Sequence, residues 1–142
     1  MLRNLLIGGA LAVVAAGCGG SGNAAAVSGI VTLDGKPAPD VAVTFNPVST
    51  DGNNVPGPSA FGVTGADGRY SLKLMGEEIK GATVGKNIVR FSAYVPTDPN
   101  VDGPPKTKPK TNVPSRYWSD SSMQFDVPPK GTKTADFDLK SP

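Results

Sequence analysis

Residues 27–37 read VSGIVTLDGKP, and this stretch decides the fold. Val27, Gly29, Val31 and Leu33 fall on one side of an extended chain, and Ser28, Ile30 and Thr32 fall on the other. Period two is the strand signal, because successive side chains in a strand point to opposite faces. Asp34-Gly35 follows at once. Both residues tolerate the positive φ angles of a two-residue hairpin turn, so the chain is expected to reverse here.

The same pattern continues downstream. Val41, Val43 and Phe45 alternate with Ala42 and Thr44, and Asn46-Pro47 is expected to close that strand. Residues 49–59 are polar and rich in glycine and proline, the composition of a surface loop. Phe61 to Thr64 reads as a short strand. Ala66-Asp67-Gly68-Arg69 is a second tight turn, after which Tyr70, Leu72 and Leu74 alternate. Residues 75–85 are expected to form a loop, because the flanking glycines stop any helix. Residues 87–95 carry Val89, Phe91, Ala93 and Val95 on one face and Ile88, Arg90, Ser92 and Tyr94 on the other. Apolar groups on both faces predict a central strand.

Residues 96–114 hold six prolines and cannot lie inside a sheet, because proline lacks the ladder donor. Residues 113–118, VPSRYW, bring the chain back with two aromatics expected to pack at an edge. Met123, Phe125 and Val127 form the next strand, Pro128-Pro129-Lys130-Gly131 the next turn, and Ala135, Phe137 and Leu139 the last strand. About seven short strands and no long helix predict an all-β fold, a β-sandwich in which each strand buries one apolar row.

The chain's start has a different composition. Arg3 precedes an apolar run from Leu5 to Ala16, too short for a membrane-spanning helix of about 20 residues. Ala15, Ala16 and Gly17 are small, and Cys18, the only cysteine, follows. This is the layout of an export signal, and it resembles the bacterial lipobox, which ends at a lipid-modified cysteine. The expected organisation is a signal peptide at 1–17, lipidated Cys18 with a small-residue tether at 18–26, and one β-sandwich domain at 27–142. An ordinary secretion signal is the competing reading. A single cysteine also excludes an internal disulfide framework. The lipid would hold the chain to a membrane outside the cytoplasm, in the cell envelope. Gly19 after the cysteine, in place of aspartate, points to the outer membrane or cell surface.

Composition narrows the function. Glycine 18 and proline 14 of 142 residues suit a loop-rich β domain. Lysine plus arginine 14 against aspartate plus glutamate 12 gives a net charge of +2, and Arg3 leaves with the signal. So balanced a chain has no electrostatic case for nucleic acid. The chain contains no histidine, which removes imidazole triads and imidazole acid–base chemistry.

Residues 27–37, 41–45 (VAVTF) and 64–72 (TGADGRYSL) together resemble the carboxypeptidase regulatory-like domain, whose fold is a transthyretin-like (prealbumin-like) seven-strand sandwich. With the lipobox, VPSRY at 113–117 and ADFDL at 135–139, the chain is similar to short lipoproteins abundant in planctomycete bacteria. The resemblance covers about residues 27–140. It implies an accessory structural or binding module and supplies no catalytic residue. Hydroxyisourate hydrolase, an enzyme of the transthyretin fold, relies on histidines that this chain lacks.

Three features are candidates for binding. Asp98-Pro99-Asn100-Val101-Asp102-Gly103 matches the opening of a calcium loop, with Asp98, Asn100 and Asp102 as candidate ligands. Pro109 stands where the bidentate glutamate belongs, and the stretch reads equally as a polar turn. Lys106, Lys108 and Lys110 form a basic strip, read as a solvated surface or as a contact for lipid headgroups or anionic glycan. Tyr94, Tyr117 and Trp118 are candidates for an aromatic sugar platform, against plain core or edge packing. The resulting expectation is a non-catalytic envelope protein with no cofactor beyond weakly held calcium. Its partners would be the membrane through Cys18 and an envelope protein or glycan. A carbohydrate- or calcium-dependent adhesion module using the Asp98–Gly103 loop is the alternative.

Overall fold

The computed structural model describes residues 23–49, 56–96, 100, 102–103 and 108–142. Residues 1–17, Cys18, Asp98 and Lys106, and the expectations placed on them, lie outside the described residues. The strands are β1 (Ala24–Ala25), β2 (Ser28–Leu33), β3 (Lys36–Pro37), β4 (Val41–Pro47), β5 (Ala60–Val63), β6 (Arg69–Ser71), β7 (Lys73–Leu74), β8 (Ala82–Thr83), β9 (Gly85–Ala93), β10 (Gln124–Val127) and β11 (Phe137–Leu139). The only helix among the described residues is α1 (Arg116–Ser119). The protein is therefore all-β, and its layers are compatible with a β-sandwich.

One sheet has the order β10-β9-β4-β5-β7, antiparallel throughout. The other is built on β2. β11 lies parallel on one side, and β3 and β6 follow one another antiparallel on the other. β1 and β8 make a small antiparallel pair. The Asp34-Gly35 turn forms as its residues dictate. Leu33 pairs with Lys36, and the two turn residues have φ of 52° and 80°, both in the left-handed region.

Register carries the alternation into the core. Val43 pairs with Phe91 and Phe45 with Val89, so the inward rows of β4 and β9 face the same side. Val31, Val41, Val43, Phe45, Leu72, Val89, Phe91, Val127 and Leu139 are all buried in one apolar cluster fed by both sheets. Burying such a side chain contributes about 1.5–3 kcal/mol each. Phe137 of β11 closes the centre. Its ring lies 5.1 Å from Phe91, 5.9 Å from Phe125 and 6.2 Å from Phe45, in edge-on geometries that suit aromatic quadrupoles.

Several sequence expectations change. Eleven strand segments form among the described residues, not seven. The stretch from Arg69 to Leu74 breaks at Leu72, so that β6 joins β2 while β7 joins β5. One run of chain thus serves both sheets, a known way to turn a sandwich corner. Ala24–Ala25, expected in the tether, pair with Ala82–Thr83, which were expected in a loop. Both pairs consist of small residues that fit against the core, with Ala25 and Ala82 buried. β4 does end at Asn46-Pro47, as expected, and Pro47 is tolerated there because β5 has already stopped at the Phe45–Ala60 pair and needs no donor.

Candidate functional site

α1 divides the three aromatic candidates. It packs on β9. From it Tyr117 turns inward, 6.3 Å from the Phe91 ring and perpendicular to it. The Tyr117 hydroxyl accepts the Lys140 N–H at 2.8 Å. Arg116 lies over the same ring at 4.9 Å and donates to the Lys140 carbonyl. These two residues therefore hold the C-terminal segment to the body. Tyr94 is elsewhere, 6.4 Å from Phe61. No ring contact joins Tyr94, Tyr117 and Trp118 to one another, so the candidate three-ring platform is not assembled, and Tyr94 and Tyr117 pack on Phe61 and Phe91 instead. The alternation that placed Tyr94 and the linear adjacency of Tyr117 and Trp118 could not show that a helical turn sends neighbours to different sides.

Trp118 is one of three exposed large hydrophobic side chains among the described residues, with Val48 and Met75. It is 53% exposed and borders a hollow of about 300 Å³ with Thr44, Asn46, Arg90, Phe91 and Ser92. Strand pairing explains this set. Thr44 pairs with Arg90 and Ala42 with Ser92, so the outward rows of β4 and β9 lie side by side. The Arg90 guanidinium reaches Ser121 Oγ at 3.4 Å, while its buried Nε has no partner among the described residues. Asn46 Oδ1 accepts the Ser59 hydroxyl at 3.0 Å. The hollow thus offers an indole face, hydroxyls, an amide and a cation. That chemistry suits a neutral polyol or sugar ring, which stacks its C–H face and hydrogen-bonds its rim. The sequence reading named Trp118 but missed Thr44, Asn46, Arg90 and Ser92. Their signal was there, as a polar row on the outward positions of two strands.

Two adjoining hollows share Ser28, Ser71 and Lys133. One of about 480 Å³ also meets Arg69 and Tyr70, and one of about 350 Å³ also meets Ala26, Lys80 and Lys130. Arg69 is paired with Asp67 at 3.4 Å. Tyr70 is buried beneath, and its hydroxyl donates to the Ala135 carbonyl at 2.5 Å. Burial, with Asp136 nearby, pushes that hydroxyl far above the ordinary tyrosine range. It is a structural donor and not a proton-transfer group.

The calcium candidates are only partly visible. Asn100 and Asp102 are exposed. No group of three His, Cys, Asp or Glu side chains poised for a metal occurs among the described residues. Lys108 and Lys110 are exposed, and Lys110 sits 3.9 Å from Asp40. Two of the perturbed carboxylates serve the C-terminal segment and the third a local turn. Lys140, Thr32 and the Gly35 N–H hold Asp138 below the usual carboxylate range, and Ser141 does the same for Asp34. Asp120 is lowered by its bond to Ser122.

Fold and hollows together define an all-β protein with surface recesses lined by hydroxyls, amides and cations. Comparison of the chain with family models, with curated proteins and with solved structures finds no match in any of the three.

Proposed function

We propose that this chain is a lipid-anchored protein of the bacterial cell envelope, presented at the outer membrane or surface, whose β-sandwich is a non-catalytic structural or binding module. The carboxypeptidase regulatory-like, transthyretin-like family is the kinship proposed for it, on the motifs at 27–37, 41–45 and 64–72. The observation that carries the reading is the placement of Cys18. The only cysteine ends an export-type segment, and the chain is already pairing as strand at Ala24. The distribution of reactive groups supports the non-catalytic part. The chain has no histidine, and the perturbed carboxylates hold the C-terminal segment or a local turn. The test is metabolic fatty-acid labelling of the chain and of Cys18→Ser. Label on the first and none on the second is expected. Label persisting in the variant refutes the anchor, and hydrolytic turnover that one polar substitution abolishes refutes the non-catalytic reading.

A second reading is favoured by the Trp118 hollow: an adhesion module that takes a carbohydrate. Its ligand would stack on Trp118 and bond to Asn46, Arg90 and Ser92, rather than depend on the Asp98–Gly103 loop. A glycan array, with calorimetry in the presence and absence of calcium, decides it. Glycan signal lost in Trp118→Ala and indifferent to calcium supports the hollow. Signal that needs calcium returns the site to the loop, and no signal removes the reading.

A further inference from the structure

The end of the sandwich at which the chain enters is basic. β1 pairs with β8 there, and Ala26 lines the same hollow as Lys80, Lys130 and Lys133. Two separate segments, one at Lys80 and one at residues 130–133, bring these lysines together. Lys80 bridges to Lys73 just before β8, Lys130 lies in the turn after β10, and Lys133 follows Thr132, whose carbonyl accepts the Ser28 N–H at 3.0 Å. All three side chains are exposed, and no carboxylate of a described residue forms an ion pair with any of them. Of the acids in neighbouring segments, two are ion-paired and one accepts a backbone N–H, while Asp126 of β10 forms no ion pair among the described residues. Glu78 pairs with Lys73 at 2.7 Å, Asp67 with Arg69 at 3.4 Å, and Asp136 accepts the Ile30 N–H at 2.8 Å. The opposite end differs. Leu33, at the far end of β2, pairs with Lys36, and Lys140 there is neutralised by Asp138 at 2.6 Å.

We infer that this basic end docks on the anionic phospholipid headgroups of the membrane that anchors the chain. The inference rests on the lipid-anchor reading and adds an orientation to it. Cys18 and Asn23 are five residue steps apart, a reach of at most about 18 Å even when fully extended. The lipid therefore confines the entry end near the headgroups, and the lysines at that end need approach only to within a Debye length, about 8–10 Å, to feel an anionic surface. Each basic side chain near such a surface favours the docked state by about five-fold, so three favour it on the order of 100-fold. The Trp118 hollow lies on the outward row of β4 and β9 and shares no lining residue with the lysine hollow.

The test uses the full chain reconstituted in vesicles of phosphatidylglycerol mixed into phosphatidylcholine, and in phosphatidylcholine alone. Amine labelling of each lysine is read by mass spectrometry at low and high salt. Labelling of Lys80, Lys130 and Lys133 is expected to slow several-fold only on the anionic membrane and to recover in high salt, while Lys36 and Lys140 are unchanged. Equal rates on the two membranes, or a slowing shared by Lys36 and Lys140, overturn the docking. The N-terminal peptide in the same digest reports lipid on Cys18 separately. Lipid present with uniform lysine rates overturns the docking alone. Lipid absent overturns the anchor, and the lysine rates on added vesicles still decide whether the basic end binds them.

Discussion

The hydroxyl of Tyr70 donates to the carbonyl of Ala135, at 2.5 Å and across 65 positions of sequence. This bond ties β6 to the segment leading into β11 and satisfies two polar groups that the core would otherwise strand, because both residues are buried. Tyr70→Phe keeps the ring and leaves the carbonyl without its partner. An unsatisfied buried acceptor costs about 1–3 kcal/mol, and urea denaturation should show that loss with an unchanged m value.

Burial of the Tyr70 hydroxyl, with the Asp136 charge nearby, sets an alkaline limit. The hydroxyl is held far above its ordinary value of 10.0, so the fold favours the protonated phenol. Its contribution is complete below about pH 10 and is lost as pH rises beyond that value. A tyrosinate absorbance component should appear only together with loss of near-ultraviolet dichroism, and Tyr70→Phe should remove it. A Tyr70 signal that rises while the fold persists contradicts the assignment.

At the acid end the sign reverses. Asp34 and Asp138 are both held below the ordinary 3.8 in the folded chain. Their contribution is present above that value and is lost as pH falls through the folded values. Melting temperature should therefore drop below about pH 4. Asp34→Asn with Asp138→Asn should lower the neutral melting temperature and flatten this acid limb.

Two glycines separate steric from conformational cost. A Cβ on Gly29 would sit 2.0 Å from the Ala135 carbonyl oxygen, a backbone atom. Gly29→Ala must push β2 from its neighbour and should cost more than about 4 kcal/mol, seen as loss of soluble folded protein. A Cβ on Gly35 meets nothing, but φ there is 80°. Gly35→Ala should cost only about 1–2 kcal/mol in chemical denaturation.

Trp118 and Phe91 line one hollow yet should respond oppositely. Trp118→Ala is expected to change stability by less than about 0.5 kcal/mol, because the indole is half in water. Phe91→Ala, in the core, should cost about 3–5 kcal/mol. The chain has a single tryptophan, so its emission should be red-shifted and readily quenched by iodide in the native state.

Much of this protein was legible in its sequence because the relevant physics is local. A strand's period depends on its own residues, which is why Val41, Val43 and Phe45 point inward as read. A hairpin turn depends on two residues, which is why Asp34-Gly35 adopts positive φ. The Thr64 hydroxyl was not legible. It donates to the Ala38 carbonyl at 2.6 Å and accepts the Val41 N–H at 2.9 Å, and nothing in its own stretch names those partners.

The candidate sites divide along the same line. Trp118 was singled out from sequence, but its company of Thr44, Asn46, Arg90 and Ser92 follows from the register of β4 on β9. Lys130 and Lys133 share the short stretch 130–133, but Lys80 lies 50 positions earlier, and no spacing joins it to them.

By itself the sequence determined the longer strands, their buried faces and their tight turns, since dihedral preference and side-chain alternation act over a few residues, but not the two-residue strands β1 and β8. Only the tertiary structure decided which strands are neighbours. β2 and β11 run parallel although more than a hundred residues separate them, and the chain changes sheets at Leu72. Those choices are made where one apolar core closes around Phe45, Phe91 and Phe137, and closure of a core is a property of all its walls at once.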